Sequence, residues 1–331
     1  MSSTYASPNT VTVIIPNWNG ASFLRACIDS VLRQNGILKD VVVVDNGSTD
    51  SSSDVLASYG SAIRVVQLNT NLGFACAVNA GIKASRTDLL FVLNNDAVLE
   101  DDCLLNLTKA TKSYSTYGFY AAEIRHFDER TSLWSAGIIF SERGHGNRSG
   151  RHLLAKTKTP VEIFGVCGAA ALFKRSILDE VGMFNEDFFL YHEDIELSFR
   201  HQLRGYRCLY VPGAIVYHHG SATTKKIFRR TVEHRIRNSI ITVLTCMPGP
   251  LLARYAGKIF RFYAQLSRCV IKRGYLWCWI RALSYVALHS FGLLVRRREL
   301  QRLPAVDHER IDALLYRGPV EVNFPNEVVY L

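Results

Sequence analysis

Between Val11 and Leu93 the chain alternates short, nearly continuous apolar runs with stretches in which apolar residues recur every three to four positions. The runs are Val11–Ile15, Val41–Val44, Ile63–Leu68 and Leu89–Leu93, and they are rich in β-branched residues. An unbroken apolar run, as opposed to an alternating one, marks a strand covered on both faces, as in a parallel sheet. Ser22–Arg33, Ser51–Ser58 and Phe74–Ala84 lie between the runs and read as crossover helices. The pattern predicts a βαβαβαβ wind. Ligands of such sheets bind beyond the carboxyl ends of the strands, so the loops after the runs are where chemistry is expected.

Those loops are Pro16–Gly20, Asp45–Asp50, Asn69–Gly73 and Asn94–Asp96, all rich in Asn, Asp and Gly. One such loop is ordinary turn chemistry. Four on one sheet edge predict a polar site about the size of a nucleotide. From Tyr117 to Val216 short strands mix with longer loops. Arg143–Arg151 is Gly- and Arg-rich and is expected to be mobile. Phe164–Phe173 reads as a strand in which Gly165 and Gly168 let something approach the backbone closely. His192–Arg204 reads as a helix with Ile195, Phe199 and Leu203 on one face and Gly205 just past its end.

Composition narrows the class. With 331 residues, 48% hydrophobic and 21% charged, the chain is globular, and neither disordered nor collagen-like. Its eight cysteines are scattered, with no C-x-x-C pair, and read as reduced core residues. The polar segment before Val11 lacks a signal-peptide pattern, so a cytoplasmic location is expected. The formal net charge of +10 is uneven: Ala222–Leu303 carries 17 Lys/Arg against only Glu233 and Glu299, leaving the remainder net acidic. An anionic partner is therefore expected to meet the C-terminal region. Its Lys/Arg alternate with long aliphatic runs and form no nucleic-acid module, so nucleic acid is not the expected partner. Gly274–Val295 is the longest apolar stretch, interrupted by Arg281 and His289 and closed by Arg296, Arg297 and Arg298. The preferred reading is helices lying on a membrane surface, with Phe260, Phe262, Tyr263, Trp277 and Trp279 entering the headgroup layer. A single membrane pass and a soluble helical subdomain are the alternatives.

Four places carry candidate chemistry. Asp45 ends a strand, where a carboxylate accepts a pyrimidine imide N–H or a ribose hydroxyl; Asp50 suits the helix-capping role better. Asn94-Asn95-Asp96 follows the fourth strand, and one carboxylate beside an amide suffices for a hard divalent cation that keeps waters and bridges a diphosphate. His192-Glu193-Asp194 opens a helix, where the positive end of the dipole favours an ionised Asp able to take a proton. Local pattern alone fits a plain helix-terminal charge as well. Tyr217-His218-His219 ends a strand, so only one of the two histidines faces a site at the sheet edge.

Taken in order, Val-Ile-Ile-Pro-Asn-Trp-Asn-Gly, Val-Val-Asp-Asn-Gly-Ser-Thr-Asp, Asn-Leu-Gly-Phe-Ala-x-Ala-x-Asn-x-Gly, Leu-Asn-Asn-Asp, Phe-Phe-Leu-Tyr-x-Glu-Asp and Val-Tyr-His-His-Gly-Ser resemble the family-2 inverting glycosyltransferases of GT-A fold. The likeness is greatest to bacterial rhamnosyltransferases. It covers about Val11 to Ser221 and continues weakly through Arg237-Asn238.

The resemblance implies a Rossmann-like, mostly parallel sheet flanked by helices in residues 1–221. A nucleotide-sugar half of about 1–115 and an acceptor half of about 116–221 would be followed by a basic, membrane-associating helical region, 222–331. It implies that Pro16, Asn19 and Asp45 line a nucleoside pocket, that Asn71, Gly73, Asn79, Asn94 and Asn95 shape the pyrophosphate and sugar side, and that Asp96 and His218 serve Mg²⁺ or Mn²⁺. Asp194 would be the general base, with Gly168, Tyr191 and Glu193 on the acceptor side. The family's D-x-D reads N-x-D here, so its first carboxylate is missing. The implied partners are a dTDP- or UDP-linked sugar, first of all dTDP-rhamnose, a lipid-linked acceptor for envelope polysaccharide such as O-antigen, and the inner face of the cell membrane. A nucleotide-sugar pyrophosphorylase would want a Gly-rich first loop with a basic catalytic residue, and a silent scaffold would be expected to lose Asp96 or Asp194.

Overall fold

The computed structural model describes residues 10–148, 157–220, 228–302, 307–324 and 327–331. Its first half is β1 (Thr10–Asn17), α1 (Ala21–Leu32), β2 (Leu38–Asn46), α2 (Ser52–Ala57), β3 (Arg64–Leu68), α3 (Phe74–Ala84), β4 (Leu89–Leu93), β5 (Ala97–Leu99) and α4 (Cys103–Ser113). Then come β6 (Tyr117–His126), β7 (Leu133–Ser135), β8 (Ile138–Phe140), β9 (Gly146–Arg148), β10 (Val161–Ile163), β11 (Ala170–Lys174), α5 (Arg175–Val181), α6 (Glu193–Leu203) and β12 (Arg207–His218). Helices α7 (Phe228–Cys246), α8 (Gly249–Lys272), α9 (Leu276–Leu288), α10 (Ser290–Gln301) and α11 (His308–Leu314) and the hairpin β13 (Glu321–Phe324) and β14 (Glu327–Tyr330) complete the chain.

The main sheet runs β10-β12-β6-β11-β4-β1-β2-β3. The β4-β1-β2-β3 half is parallel, β11 joins it antiparallel to β4 and β6, and β12 runs parallel to β6. Val11, Val13–Ile15, Val42–Val44 and Leu90–Leu93 are fully buried, as their unbroken apolar runs require. Helix α1 packs Leu24, Cys27, Ile28 and Val31 against this layer, each worth about 1.5–3 kcal/mol for a large side chain removed from water. The run Ile63–Leu68 behaves differently: β3 is the outer strand, mostly exposed or half-buried, because only β2 pairs with it.

The β5–β12 pairing matters most for the site. It sets His218 opposite Ala97 and ties His219 N–H to the Asp96 carbonyl at 3.1 Å. A strand end and a loop 122 residues apart thereby become neighbours.

Two loops differ from their sequence reading. Only Ala170–Lys174 of the Phe164–Phe173 run is paired as a strand. Phe164–Ala169 is a loop whose carbonyls and N–H groups serve α6: a Cβ on Gly165 would lie 2.4 Å from that of Ser198. In the segment expected to be mobile, Gly146–Arg148 is strand β9, paired with β8; Ser149–Arg151 lie outside the described residues.

The C-terminal helices are not a detached appendage. Val243, Cys246, Met247, Leu251, Tyr255, Ile311 and Leu315 belong to the same apolar cluster as β1 and α1. Arg296 of α10 reaches Glu196 at 2.5 Å, and Glu196, fully buried, also takes Arg200 Nε at 3.0 Å. Arg200 in turn donates to the carbonyls of Val181, Gly182 and Met183. Several basic residues expected to face an anionic surface are therefore spent inside the protein. Phe262 is likewise buried, Tyr263 bonds Ser239 and the Gly144 carbonyl, and Trp279 packs against the α7–α8 cluster. Phe260 and Trp277, 78% and 72% exposed, do face outward, as do Leu288, Phe291 and Leu294. No single described helix is long and apolar enough to cross a membrane; α9 and α10 meet that measure only as a pair, bent by 67°.

Candidate functional site

A cavity of about 320 Å³ lies at the carboxyl ends of the strands. Pro16, Asn17, Asn46, Asn71, Gly73, Asn94, Asn95, Asp96 and His218 line one part, and Gly168, Tyr191, Glu193 and Asp194 another. Trp134 and Gly146–Arg148 contribute from the β7–β9 segment, and Val232, Arg235, Ile236, Leu266 and Val270 from α7 and α8.

The strand-end loops are cross-linked by side-chain amides. Asn46 donates to Asn71 Oδ1 and to the Gly73 carbonyl, both at 3.1 Å, and accepts from Leu72 N–H at 2.9 Å. Asp45 does not line the cavity: its carboxylate accepts from Asn17 at 3.2 Å, Gln67 at 2.9 Å and the Ser48 hydroxyl. Asn19 is also outside the lining; it sits at φ 51° and accepts from Thr49 N–H at 2.7 Å. Asn79 is buried away from the cavity, bracketing Phe184 through N–H and carbonyl and reaching Glu186. Asp50 caps locally, accepting from Ser52 N–H and Ala21 N–H. Gly73, at φ +89°, must be glycine for two reasons, since a Cβ would also strike the Phe189 carbonyl at 2.4 Å.

His218 Nε2 lies 2.9 Å from Asp96 Oδ1 and 3.2 Å from Asn94 Nδ2, with the Trp134 ring edge-on at 4.4 Å. Its Nδ1 is buried without a hydrogen-bond partner among the described residues. His219 turns the other way, stacking on Phe127 at 3.7 Å, as strand alternation requires. No group of three or more His, Cys, Asp or Glu is gathered for a metal among the described residues. Even so, a carboxylate oxygen and an imidazole nitrogen converge at the strand ends. That donor pair fits Mg²⁺ or Mn²⁺ completing its shell with diphosphate oxygens and water.

Asp194, in the first turn of α6, is fixed from both oxygens: Oδ2 accepts from Gly168 N–H at 3.0 Å and Oδ1 from Ile195 N–H at 2.9 Å. Burial raises its pKa above the ordinary Asp range, opposed by those two N–H groups and by the charge of Arg148. Glu193 beside it is pushed well above the usual carboxylate range, first by burial and then by the Asp194 charge. Arg148 lies over Trp134 at 4.0 Å, and Arg235 over Tyr191 at 4.1 Å. His145 is held down to about 4 by burial and by Arg235, and His192 is lowered by burial, His145 and Arg235. The segment leading into α6 is strained: Phe189, Tyr191 and His192 all have positive φ (54°, 68° and 67°), a cost of about 1–3 kcal/mol each.

Trp134, His145, Arg148 and Arg235 were not legible as site residues. Arg148 sits in a segment whose glycines suggest mobility, and Arg235 belongs to a helix more than 30 residues past Asp194. The Arg237-Asn238 pair, where the motif resemblance fades, was the available signal that α7 belongs to the site.

Comparison with known proteins decides the class. Residues 12–182, just over half the chain, match the family model "Glycosyl transferase family 2". The chain belongs to glycosyl transferase family 2. It is 26% identical over 210 residues to the poly-beta-1,6-N-acetyl-D-glucosamine synthase of Staphylococcus epidermidis, covering 60% of this chain and 49% of that protein. The chain spans about half, or less, of the length of the curated relatives it matches. Among solved structures it resembles TarS of S. aureus (TM-score 0.56, 17% identity, 92% of this chain and 83% of that one). It also resembles the mannosyltransferase PcManGT of Pyrobaculum calidifontis in complex with GDP-Man and Mn²⁺ (TM-score 0.54, 18% identity, 92% and 85%). At these identities the likeness establishes the GT-A fold alone. This family 2 glycosyltransferase thus has the α/β fold its strand-end loops implied.

Proposed function

We propose that this glycosyltransferase transfers a sugar, with inversion, from a nucleoside diphosphate to a hydroxyl of a lipid-linked saccharide in envelope polysaccharide assembly. The first donor to test is dTDP-rhamnose, with UDP-galactofuranose and UDP-hexoses next. The observation that carries the reading is that Asp194 and the Asp96–His218 pair face one cavity from three places, the start of α6, the β4–β5 loop and the end of β12. Residues 1–221 hold this chemistry, with residues 222–331 as a basic helical region that brings the site to the inner face of the membrane.

In this reading Asn46, Asn71, Gly73, Asn94 and Asn95 receive the nucleotide sugar, with Pro16 and Asp45 on the nucleoside side, Asn19 bracing the loop after Asp45 and Asn79 tying α3 to Phe184 and Glu186. Asp96 and His218 would hold Mg²⁺ or Mn²⁺, which when bound neutralises charge on the diphosphate. Asp194 takes the proton of the acceptor hydroxyl as that oxygen bonds to the anomeric carbon, and the bond to the diphosphate breaks on the opposite face. Its raised pKa makes it a stronger base than a surface Asp, while the Gly168 and Ile195 N–H groups keep it aimed. Glu193 and Tyr191 border the acceptor, with Gly168 giving it room.

A thermal-shift panel of dTDP, UDP and GDP and their sugars, with and without Mn²⁺, tests the donor side, because selective binding stabilises the folded state by mass action. A metal-enhanced shift with dTDP or UDP supports the reading. The absence of a shift with every nucleotide refutes it. For the membrane, the exposed Phe260, Trp277, Leu288 and Phe291 lie on α8, α9 and α10, and α8 and α9 also carry the exposed cations Arg261, Lys272 and Arg281, a composition suited to an anionic interface. Salt-sensitive sedimentation with anionic vesicles is the expected result.

A further inference from the structure

The strained segment Phe189–His192 delivers Asp194, yet little within it explains why it stays strained. Its hold comes from α7, some 50 residues later. The Asn238 side chain, fully buried, aims one amide nitrogen at three carbonyls of this segment: Phe188 at 2.9 Å, Leu190 at 3.1 Å and Tyr191 at 2.7 Å. Arg237 donates to the Asp187 carbonyl at 2.8 Å and anchors Asn238 Oδ1 through its Nε at 2.9 Å. From the same helix His234 stacks on the Phe189 ring at 5.3 Å. The far side of the segment meets the strand-end loops, where the Phe189 carbonyl accepts from Phe74 N–H at 2.6 Å, at the start of α3.

We propose that Asn238, seated by Arg237, is a positioning residue for Asp194. It is the clamp that keeps the Phe189–His192 segment in its left-handed conformation and thereby fixes where α6 begins and where the base points. Carbonyls turned inward on a strained turn repel one another unless a donor sits among them, and an amide N–H₂ offers two protons that the three carbonyls share. The nucleotide end of the cavity has a brace of its own, Asn46, which ties Asn71–Gly73 to β2 and leaves the Phe74 N–H bond to the Phe189 carbonyl as its link to the clamped segment. The inference rests on Asp194 as the base, and it makes the C-terminal helices part of the catalytic apparatus in addition to any membrane role.

The test compares Asn238→Asp, which places a carboxylate among the three carbonyls, with Asn238→Ser, which keeps one donor, in the full chain. Binding of UDP with Mn²⁺ is measured for affinity and stoichiometry, hydrogen exchange is followed across residues 187–196, and donor hydrolysis is assayed with the wild type's best substrate among dTDP-rhamnose, UDP-glucose and UDP-N-acetylglucosamine. The expected result is full UDP stoichiometry and unchanged affinity, faster exchange confined to 187–196, and kcat lowered about 10²-fold at unchanged donor KM. Asn238→Ser should be affected less than Asn238→Asp. Unchanged exchange and kcat in both variants overturns the proposal. So does loss of UDP binding in step with kcat in both, which would make Asn238 a general folding residue. Asp194→Asn run alongside separates the two readings: if it keeps wild-type turnover the base assignment fails, whereas an inactive Asp194→Asn beside an unaffected Asn238→Asp sinks only the clamp. The exchange measurement stands whichever sugar the enzyme uses.

Discussion

The two ends of the cavity solve the same problem, holding a polar loop in a fixed shape, with residues drawn from opposite ends of the chain. At the nucleotide end Asn46 braces Asn71–Gly73, and both lie at the carboxyl edge of adjacent parallel strands, 25 to 27 residues apart. At the base end Asn238 braces Phe188–Tyr191 from a helix 47 to 50 residues away, across two intervening elements and a segment outside the described residues. The first clamp follows from sheet topology. The second exists only because α7 packs on α6, so the placement of Asp194 is tied to the packing of the C-terminal helices.

The sharpest way to separate the ends is Asp194→Asn. Turnover should fall about 10²- to 10⁴-fold, the range for a positioned general base, while the Mn²⁺-dependent thermal shift with UDP persists. Loss of the shift together with turnover would mean that the two ends are not independent. Next in size is Arg200→Met, which leaves Glu196 with only Arg296 and three carbonyls with no donor; urea unfolding should show a loss of about 3–5 kcal/mol. A loss below about 1 kcal/mol would show that Arg200 is not an anchor between α6 and the carbonyls of Val181–Met183.

Acidity probes the base end more gently. Donor hydrolysis should rise with pH along a limb above the ordinary Asp range, because burial raises the Asp194 pKa, and Arg148→Gln should move that limb higher by removing a charge that lowers it. Stability should run two ways. His145 has its folded pKa depressed to about 4 from 6.5, so its contribution is complete above 6.5 and is lost as pH falls toward 4. Glu193 and Asp194 have raised folded pKa values, so theirs is present at low pH and lost as pH rises through those values. His145→Gln should therefore flatten the acid fall between pH 6.5 and 4 in calorimetry. The smallest effect is expected from Trp277→Ser with Leu288→Ser: weaker sedimentation with anionic vesicles and unchanged hydrolysis of soluble donor. An effect on hydrolysis instead would place these residues in the catalytic unit.

How far the fold could be read ahead depended on the range of the contacts. The parallel half was legible because burial on both faces leaves an unbroken apolar signature in each strand, and even there the edge position of β3 was not, since an outer strand can carry the same residues. The strand-end loops were legible as a polar site because Asn, Asp and Gly repeat at topologically equivalent places. Asp45 and Asn79 show the limit of that inference: a conspicuous polar residue beside a site turned out to hold the loops, with its hydrogen bonds already spent. The charge count of the C-terminal region has a related limit. Charge counted along a sequence does not say which guanidiniums turn inward, and Arg237, Arg296 and Arg297 do so to serve carbonyls and Glu196.

Local pattern was enough for the order of buried strands, the strand edge where a polar site was expected, the helix that opens with Glu193 and Asp194, and the alternation that sends His218 and His219 to opposite faces. Those are consequences of periodicity and of residue type at a strand or helix end, which act over a few residues. It took the packed molecule to set His218 Nε2 at 2.9 Å from Asp96, to bring Arg148 and Arg235 into the cavity lining, and to aim the Asn238 amide at the carbonyls of the strained turn before Asp194. Each of those depends on a pairing between distant segments whose free energy comes from packing the whole molecule, and no local pattern encodes it.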